Sequence, residues 1–293
     1  MKQPNNLNQK KYLLWLPPLI AIVPVAVLCI MIIYSTLHSD GSTYSLSFLT
    51  YAGKFKYNDI HVLGISFYWL LLFSGLALAC VLAASKKRRG QYGFSIGLAV
   101  ACTILSALQG IVGLKVLFAV ECIVRSGSFK EINFSGQSLF GSLYSCLVFV
   151  PLIALLFRKR GRDMFDYIAP TWLLMLVFTR LGCYQSGCCG ARLMFFNGSP
   201  IRLPVQLFEV ICDLLILSLC LWMDRPRKAS NSRGRNIFPT MLVLYGFTRF
   251  FIEFLRNNNY FILKITGAQF HSIFFFTVGV VWLLYDKIKK SKK

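Results

Sequence analysis

Acidic residues are scarce in this chain. Its 293 residues include 11 Asp and Glu against 32 Lys and Arg, for a net charge of +21, and only three histidines. Charged residues of both signs make up 15% of the sequence and hydrophobic ones 56%, with a mean hydropathy of +0.60. So little polar surface excludes a soluble domain of this size. A basic balance is also a mark of nucleic-acid binding, but here the basic residues fall in short runs between apolar stretches and not along one polar face. Nucleic acid is therefore excluded as a partner, and the runs read as membrane topology. Period-2 alternation is missing, which excludes a closed β-barrel. Walker and dinucleotide motifs and internal repeats are also absent.

What the chain does have is eight apolar stretches of the length a bilayer needs, roughly 20 residues each. They cover 13–37, 60–85, 92–122, 136–157, 164–184, 203–223, 236–256 and 265–286. A spanning segment has no backbone partner in lipid except within its own helix, so the expected fold is an all-α polytopic membrane protein of about eight transmembrane helices. The stretch 92–122 is long enough to be tilted or broken, near Gly110 or Gly113. The first stretch is longer than a signal-peptide core and no small-residue cleavage site follows it, so 1–40 reads as an additional, uncleaved signal anchor before a seven-helix domain, 41–293.

Every other loop is basic: Lys86 to Arg89, Arg158 to Arg162, Arg225 to Arg235, and Lys287 to Lys293. Basic loops stay cytoplasmic, and Lys2, Lys10 and Lys11 put the N-terminus on that side, so both ends are expected inside. The segment Thr179 to Gly190, TRLGCYQSGCCG, then falls at the outer end of its helix.

Ionisable groups inside the spans are expensive and face protein or a water-filled cavity. Tyr245, Arg249, Glu253 and Arg256 recur at spacings of four, four and three, and Gln206, Glu209 and Asp213 at three and four, so each set shares one helical face. Lys115 and Glu121 lie in 92–122, His61 opens 60–85, and His271 reads as a hydrogen-bonded helix contact. Buried ion pairs that only fix packing would account for any one pair. For the whole set, basic residues exceed what pairing near the outer face needs, and arginine grips phosphate with two hydrogen bonds. The stripes therefore predict a polar cavity, open to the outer leaflet, for an anionic lipid headgroup.

Arg180-Leu-Gly-Cys-Tyr-Gln-Ser-Gly-Cys-Cys resembles the signature loop of the bacterial prolipoprotein diacylglyceryl transferases, in which an arginine, a glycine two residues on and another five later recur. These are Arg180, Gly182 and Gly187 here. Pro204-Val-Gln-Leu-Phe-Glu is similar to that family's Pro-x-Gln-Leu-Tyr-Glu helix start, and the run from Tyr245 to Arg256 to its Tyr-Gly-x-x-Arg-x-x-x-Glu-Phe-x-Arg helix. Gly113-Leu-Lys and Ile60-His-Val-Leu-Gly are fainter likenesses, and the whole spans roughly 57–286.

The resemblance implies an enzyme of the bacterial cell membrane. It would move the diacylglyceryl group of phosphatidylglycerol onto the lipobox cysteine of a prolipoprotein signal peptide, with membrane lipids around it and without cofactor or metal. Arg249 would hold the phosphate, Arg180 would clamp the departing glycerol phosphate, and Glu253 and Glu209 would orient the guanidiniums. His61 or Glu209 would take the thiol proton, and Gly182, Gly187, Gln206, Tyr245 and Lys115 would line the substrate site.

Four positions depart from the pattern. Phe140 stands where many members have histidine or tyrosine, Cys183 where the loop asparagine is usual, Cys188 where its glutamate is, and Leu63 where a tyrosine is. An active transferase with another base, and an altered paralogue that binds anionic lipid without the full chemistry, both fit these changes. An anion transporter is a third reading. Cys183 with Cys188 or Cys189 is spaced for a disulfide; zinc would need four ligands, and only His38 and His61 are candidates to join.

Overall fold

The structure, a computed structural model, describes residues 61–62, 65–129, 134, 136–186, 189, 193–196, 199–225, 235–256, 260–262 and 265–291. The expected signal anchor 1–40, with its span 13–37, lies outside the described residues. The other seven apolar stretches are each a helix: α1 Phe67–Ala84, α3 Ile96–Ser126, α4 Phe140–Leu156, α5 Gly161–Gln185, α6 Val205–Met223, α7 Ile237–Ile252 and α8 Gly267–Ser291, with the short basic helix α2 Lys86–Tyr92 between α1 and α3. Six of them are long and apolar enough to cross a membrane, and α4, at 17 residues, is shorter.

Helix α3 is continuous, not broken as its length and glycines suggested. The Ser95 side chain caps its start by accepting from the Leu98 N–H at 3.2 Å, and Gly127 ends it in the left-handed region at φ 67°. A glycine inside a helix costs roughly 1 kcal/mol relative to alanine, but here it permits contact. A Cβ on Gly113 would run into the Gly141 carbonyl, and one on Gly141 into that of Gly113. The backbones of α3 and α4 therefore touch, as small residues allow in lipid. Gly246 likewise lets α7 approach α8: a Cβ there would lie 2.7 Å from the Ser272 carbonyl oxygen.

Helix α5 is the axis. It is buried along almost its whole length, and α1, α4 and α6 pack around it. Outward faces carry exposed apolar side chains, among them Leu108, Ile111 and Val112 on α3, Leu152 on α4 and Leu215 on α6. These are the surfaces that lipid would cover.

Three two-stranded antiparallel hairpins were not foreseen: β1–β2 (His61–Val62, Ile65–Ser66), β3–β4 (Leu193–Phe196, Ser199–Arg202) and β5–β6 (Tyr260–Ile262, Ile265–Thr266). Each leads into a helix start, of α1, α6 and α8 respectively. Contacts between Gly182 and Tyr68, Arg180 and Glu209, and Thr266 and Glu253 gather those starts at one end of the bundle. Open strand edges are not tolerated in hydrocarbon, so a bundle end is where such hairpins belong.

The opposite end holds the basic turns, and several of those cations are structural. Arg88 pairs with Asp224, donates to the Tyr167 carbonyl and lies 4.3 Å over the Tyr167 ring. Tyr92 donates to Asp224 at 2.7 Å, and Arg235 reaches the same carboxylate at 3.2 Å. Burial works against the Arg88 charge, but Asp224, Tyr92 and Tyr167 together outweigh it and hold the guanidinium above its ordinary pKa. Asp166 accepts from the Phe238 N–H at the start of α7, and Arg162 pairs with Asp286 of α8. Asp224→Ala should strand Arg88 and lower stability by about 3 kcal/mol, read as a fall in detergent melting temperature. An unchanged melting temperature would remove Asp224 from this role.

Candidate functional site

At the hairpin end the two polar stripes face each other. Gln206, Glu209 and Asp213 are each no more than 3% exposed on α6, and Tyr245, Arg249 and Glu253 are similarly buried across from them. The seventh helix gives way at its end to a 3₁₀ turn, Glu253–Leu255, closed by the Arg256 N–H to the Glu253 carbonyl at 3.1 Å. That tighter winding turns Arg256 back toward α6. Its place on the Tyr245 stripe was visible in the sequence, although the site assignment passed over it.

Glu209 is the hub. Its Oε2 lies 2.7 Å from Arg180 Nε, and its Oε1 lies 3.0 Å from one nitrogen each of Arg249 and Arg256. Arg249 also sits 2.8 Å from Glu253 Oε2. Glu253 accepts from the Thr266 hydroxyl at 3.2 Å, and Thr266 and Gln269 cap the start of α8 reciprocally: the Thr266 N–H donates to Gln269 Oε1 at 3.0 Å and the Gln269 N–H to Thr266 Oγ1 at 3.2 Å. This capping box fixes the carboxylate that holds Arg249.

Arg180, Arg249 and Arg256 meet the carboxylates of Glu209 and Glu253 in ion pairs, and Asp213 lies beside them in none. The cluster also has unmatched hydrogen-bonding capacity. Arg249 Nε and Arg256 Nε are buried without an acceptor, and Asp213 Oδ2 and the Tyr245 hydroxyl are buried without a hydrogen-bond partner. Leaving such groups unmatched costs on the order of 1–3 kcal/mol each, so their persistence together calls for a ligand that would match them. Arg249, Asp213 and Tyr245 line one crevice with Arg180, Glu209, Cys212 and Thr248, too tight to hold even one water molecule. It is narrow, so an incoming headgroup must displace side chains.

The remaining predicted residues are placed as follows. Gly182 is buried in α5, where a Cβ would lie 2.8 Å from the Tyr68 ring. Tyr245 stacks edge-on to Trp172 at 5.4 Å. Lys115 is not at the arginine cluster; its Nζ donates to the Phe134 carbonyl at 2.8 Å, on the flank of α3. His61 is in β1, paired with Ser66 at the same bundle end. Gly187 and Cys188 lie outside the described residues. Cys183 is buried and Cys189 exposed, and among the described residues no group of His, Cys, Asp or Glu is arranged to hold a metal ion. His271 does make the helix contact expected of it, to Glu121 and Tyr144.

Fold and site together define a polytopic membrane protein with an internal arginine cluster next to a lipid-facing bundle. A sequence profile described as prolipoprotein diacylglyceryl transferase matches residues 57–285, and the chain belongs to that family. It is 26% identical over 250 residues to phosphatidylglycerol--prolipoprotein diacylglyceryl transferase 2 of Clostridium perfringens, covering 79% of this chain and 96% of the relative. It is 27% identical over 246 residues to the phosphatidylglycerol--prolipoprotein diacylglyceryl transferase of Clostridium tetani, covering 76% and 94%. A shorter match, 31% over 138 residues, links it to the enzyme of that name from Idiomarina loihiensis, covering 43% and 49%. With its spanning helices, this makes it a multi-pass protein of the bacterial cell membrane.

If Glu209 organises the cluster, Glu209→Gln should lower the detergent melting temperature well beyond the effect of Asp213→Asn, since it unpairs three guanidiniums. Equal shifts for the two variants would contradict the hub.

Proposed function

We propose that the protein transfers the diacylglyceryl group of phosphatidylglycerol to the lipobox cysteine of prolipoproteins, at the outer face of the cell membrane. The observation that carries the site assignment is the meeting of Arg180 and Arg249 on one carboxylate, at 2.7 and 3.0 Å from its two oxygens. Two guanidiniums that reach one carboxylate also reach one phosphate. The basic turns at the far end support placing this cluster outside.

In the reaction, sulfur forms a bond to the glyceryl carbon as that carbon's bond to the phosphate oxygen breaks. The electron pair goes to the departing glycerol phosphate, so negative charge grows on oxygens beside the arginines. Fixed cations there favour the transition state over the ground state. Arg249 holds the phosphate, Arg180 takes the leaving group, and Arg256 adds a third donor. Glu209 and Glu253 set the guanidinium orientations before the lipid arrives. The unpartnered Asp213 and Tyr245 oxygens suit the hydroxyls of a glycerol headgroup.

Purified protein should convert a lipobox peptide to its diacylglyceryl thioether with phosphatidylglycerol in detergent, seen as a mass increase. Arg249→Ala should cut the rate by on the order of 10²–10³-fold, and Arg249→Lys by less. Lipid binding by the wild type without any thioether product would overturn the reading in favour of a paralogue that only binds.

A further inference from the structure

A thiol must lose its proton to become the nucleophile, and the arginines that hold the phosphate do not receive it. Arginine stays protonated, and Glu209 has both oxygens engaged by three guanidiniums. In-line displacement also sets where the acceptor should be. Carbon lies between sulfur and the leaving oxygen, so a base in contact with sulfur is offset from the phosphate by roughly 7 Å, from near-attack and hydrogen-bond distances. It belongs beside the cluster, not in it.

A second polar group stands there. His271 Nε2 lies 3.2 Å from Glu121 Oε1, and His271 Nδ1 lies 3.0 Å from the Tyr144 hydroxyl. Ser138 donates to the same Glu121 oxygen at 2.6 Å. The three groups come from α3, α4 and α8, so only the folded bundle brings them together. The Phe140 ring lies between this group and the crevice, 5.4 Å from the His271 ring and 6.0 Å from that of Tyr245. Along α8, His271 is five residues past Thr266, which is bonded to Glu253. His271 is thus about 7.5 Å further into the bundle than Thr266, and one aromatic ring separates its group from Tyr245. The His271 and Glu121 side chains are 12% and 18% exposed, and Phe270 and Phe274 beside them are exposed on the outer face of α8. An acceptor thiol carried on an apolar segment has access from the bilayer side.

We propose that Tyr144, His271 and Glu121 form the base that activates the acceptor thiol, an inference that rests on the transferase reading above. Glu121, as a carboxylate, accepts from His271 Nε2–H, which leaves the Nδ1 lone pair facing the Tyr144 hydroxyl. The thiol proton passes to the Tyr144 oxygen while the Tyr144 proton passes to Nδ1. The thiolate attacks the glyceryl carbon, glycerol phosphate departs with the electron pair, and the imidazolium, stabilised by Glu121, returns its proton to solvent or product. Tyr144 touches the substrate, His271 holds the proton, and Glu121 is a positioning residue. Among the described residues, the charged and titratable groups facing His271 are Glu121 from α3, with Arg125 one turn further along that helix, and Tyr144 from α4.

The test is the pH dependence of peptide thioether formation by the full chain in detergent, for wild type, His271→Asn and Tyr144→Phe, each checked by its melting temperature. At pH 7 both variants should be at least about 10²-fold slower in kcat, the usual range for a lost general base, with the KM for phosphatidylglycerol nearly unchanged. The deficit should shrink towards pH 9.5, where a free thiol, with its pKa of about 8.5, ionises without help. Wild-type rates in His271→Asn at pH 7, or a loss of equal size at every pH, would overturn this inference and leave the transferase reading standing. No thioether from the wild type would overturn both.

Discussion

Glu209 is one carboxylate that three guanidiniums share inside a membrane bundle, and the hairpin end of the structure depends on it. Buried ions are tolerated only when paired, and this pairing joins α5, α6 and α7 at one point. Through Glu253 and Thr266 it extends to the start of α8. The same contacts that keep the charges tolerable hold the arginine donors in fixed directions. Stability and binding geometry therefore have a common origin, and a lipid phosphate entering the crevice competes with Glu209 for donors that are already aligned.

The two ends of the bundle use the same chemistry for different purposes. At the basic end, Asp224 gathers Arg88, Arg235 and Tyr92, and an aromatic ring covers the Arg88 guanidinium. Both ends keep a buried guanidinium nitrogen without an acceptor, Arg88 Nη1 at one and Arg249 Nε at the other; at the hairpin end Asp213 and Tyr245 add unmatched oxygens around one crevice. Among the described residues, strands of two or three residues before α1 and α8 and a longer hairpin before α6 put non-helical backbone at one end of the bundle.

The helices were largely legible in the sequence, because twenty apolar residues in lipid leave the backbone only one arrangement. Period 3.6 likewise put Gln206, Glu209 and Asp213 on one face, and Tyr245, Arg249 and Glu253 on another. What the sequence did not reveal depends on contacts between segments far apart in the chain. The 3₁₀ turn after Ile252, which brings Arg256 onto Glu209, has no signal in the sequence. Gly113 marks a close approach to Gly141, not a break. The basic runs read as topology, yet Arg88 is buried in an ion pair with Asp224, and the partly exposed Arg162 pairs with the buried Asp286. His271 read as a plain helix contact, and its partners Glu121 and Tyr144 are 150 and 127 residues away in sequence.

The most direct test is magnetic-resonance measurement of dipolar coupling between the phosphorus of bound phosphatidylglycerol and ¹⁵N-labelled arginine side chains. Charge-assisted contacts place guanidinium nitrogen roughly 4 Å from phosphorus. The shared cluster predicts coupling at that distance from two or more arginines, with a component lost in Arg180→Lys and another in Arg249→Lys. Coupling absent for both residues, with lipid bound elsewhere on the protein, would contradict it.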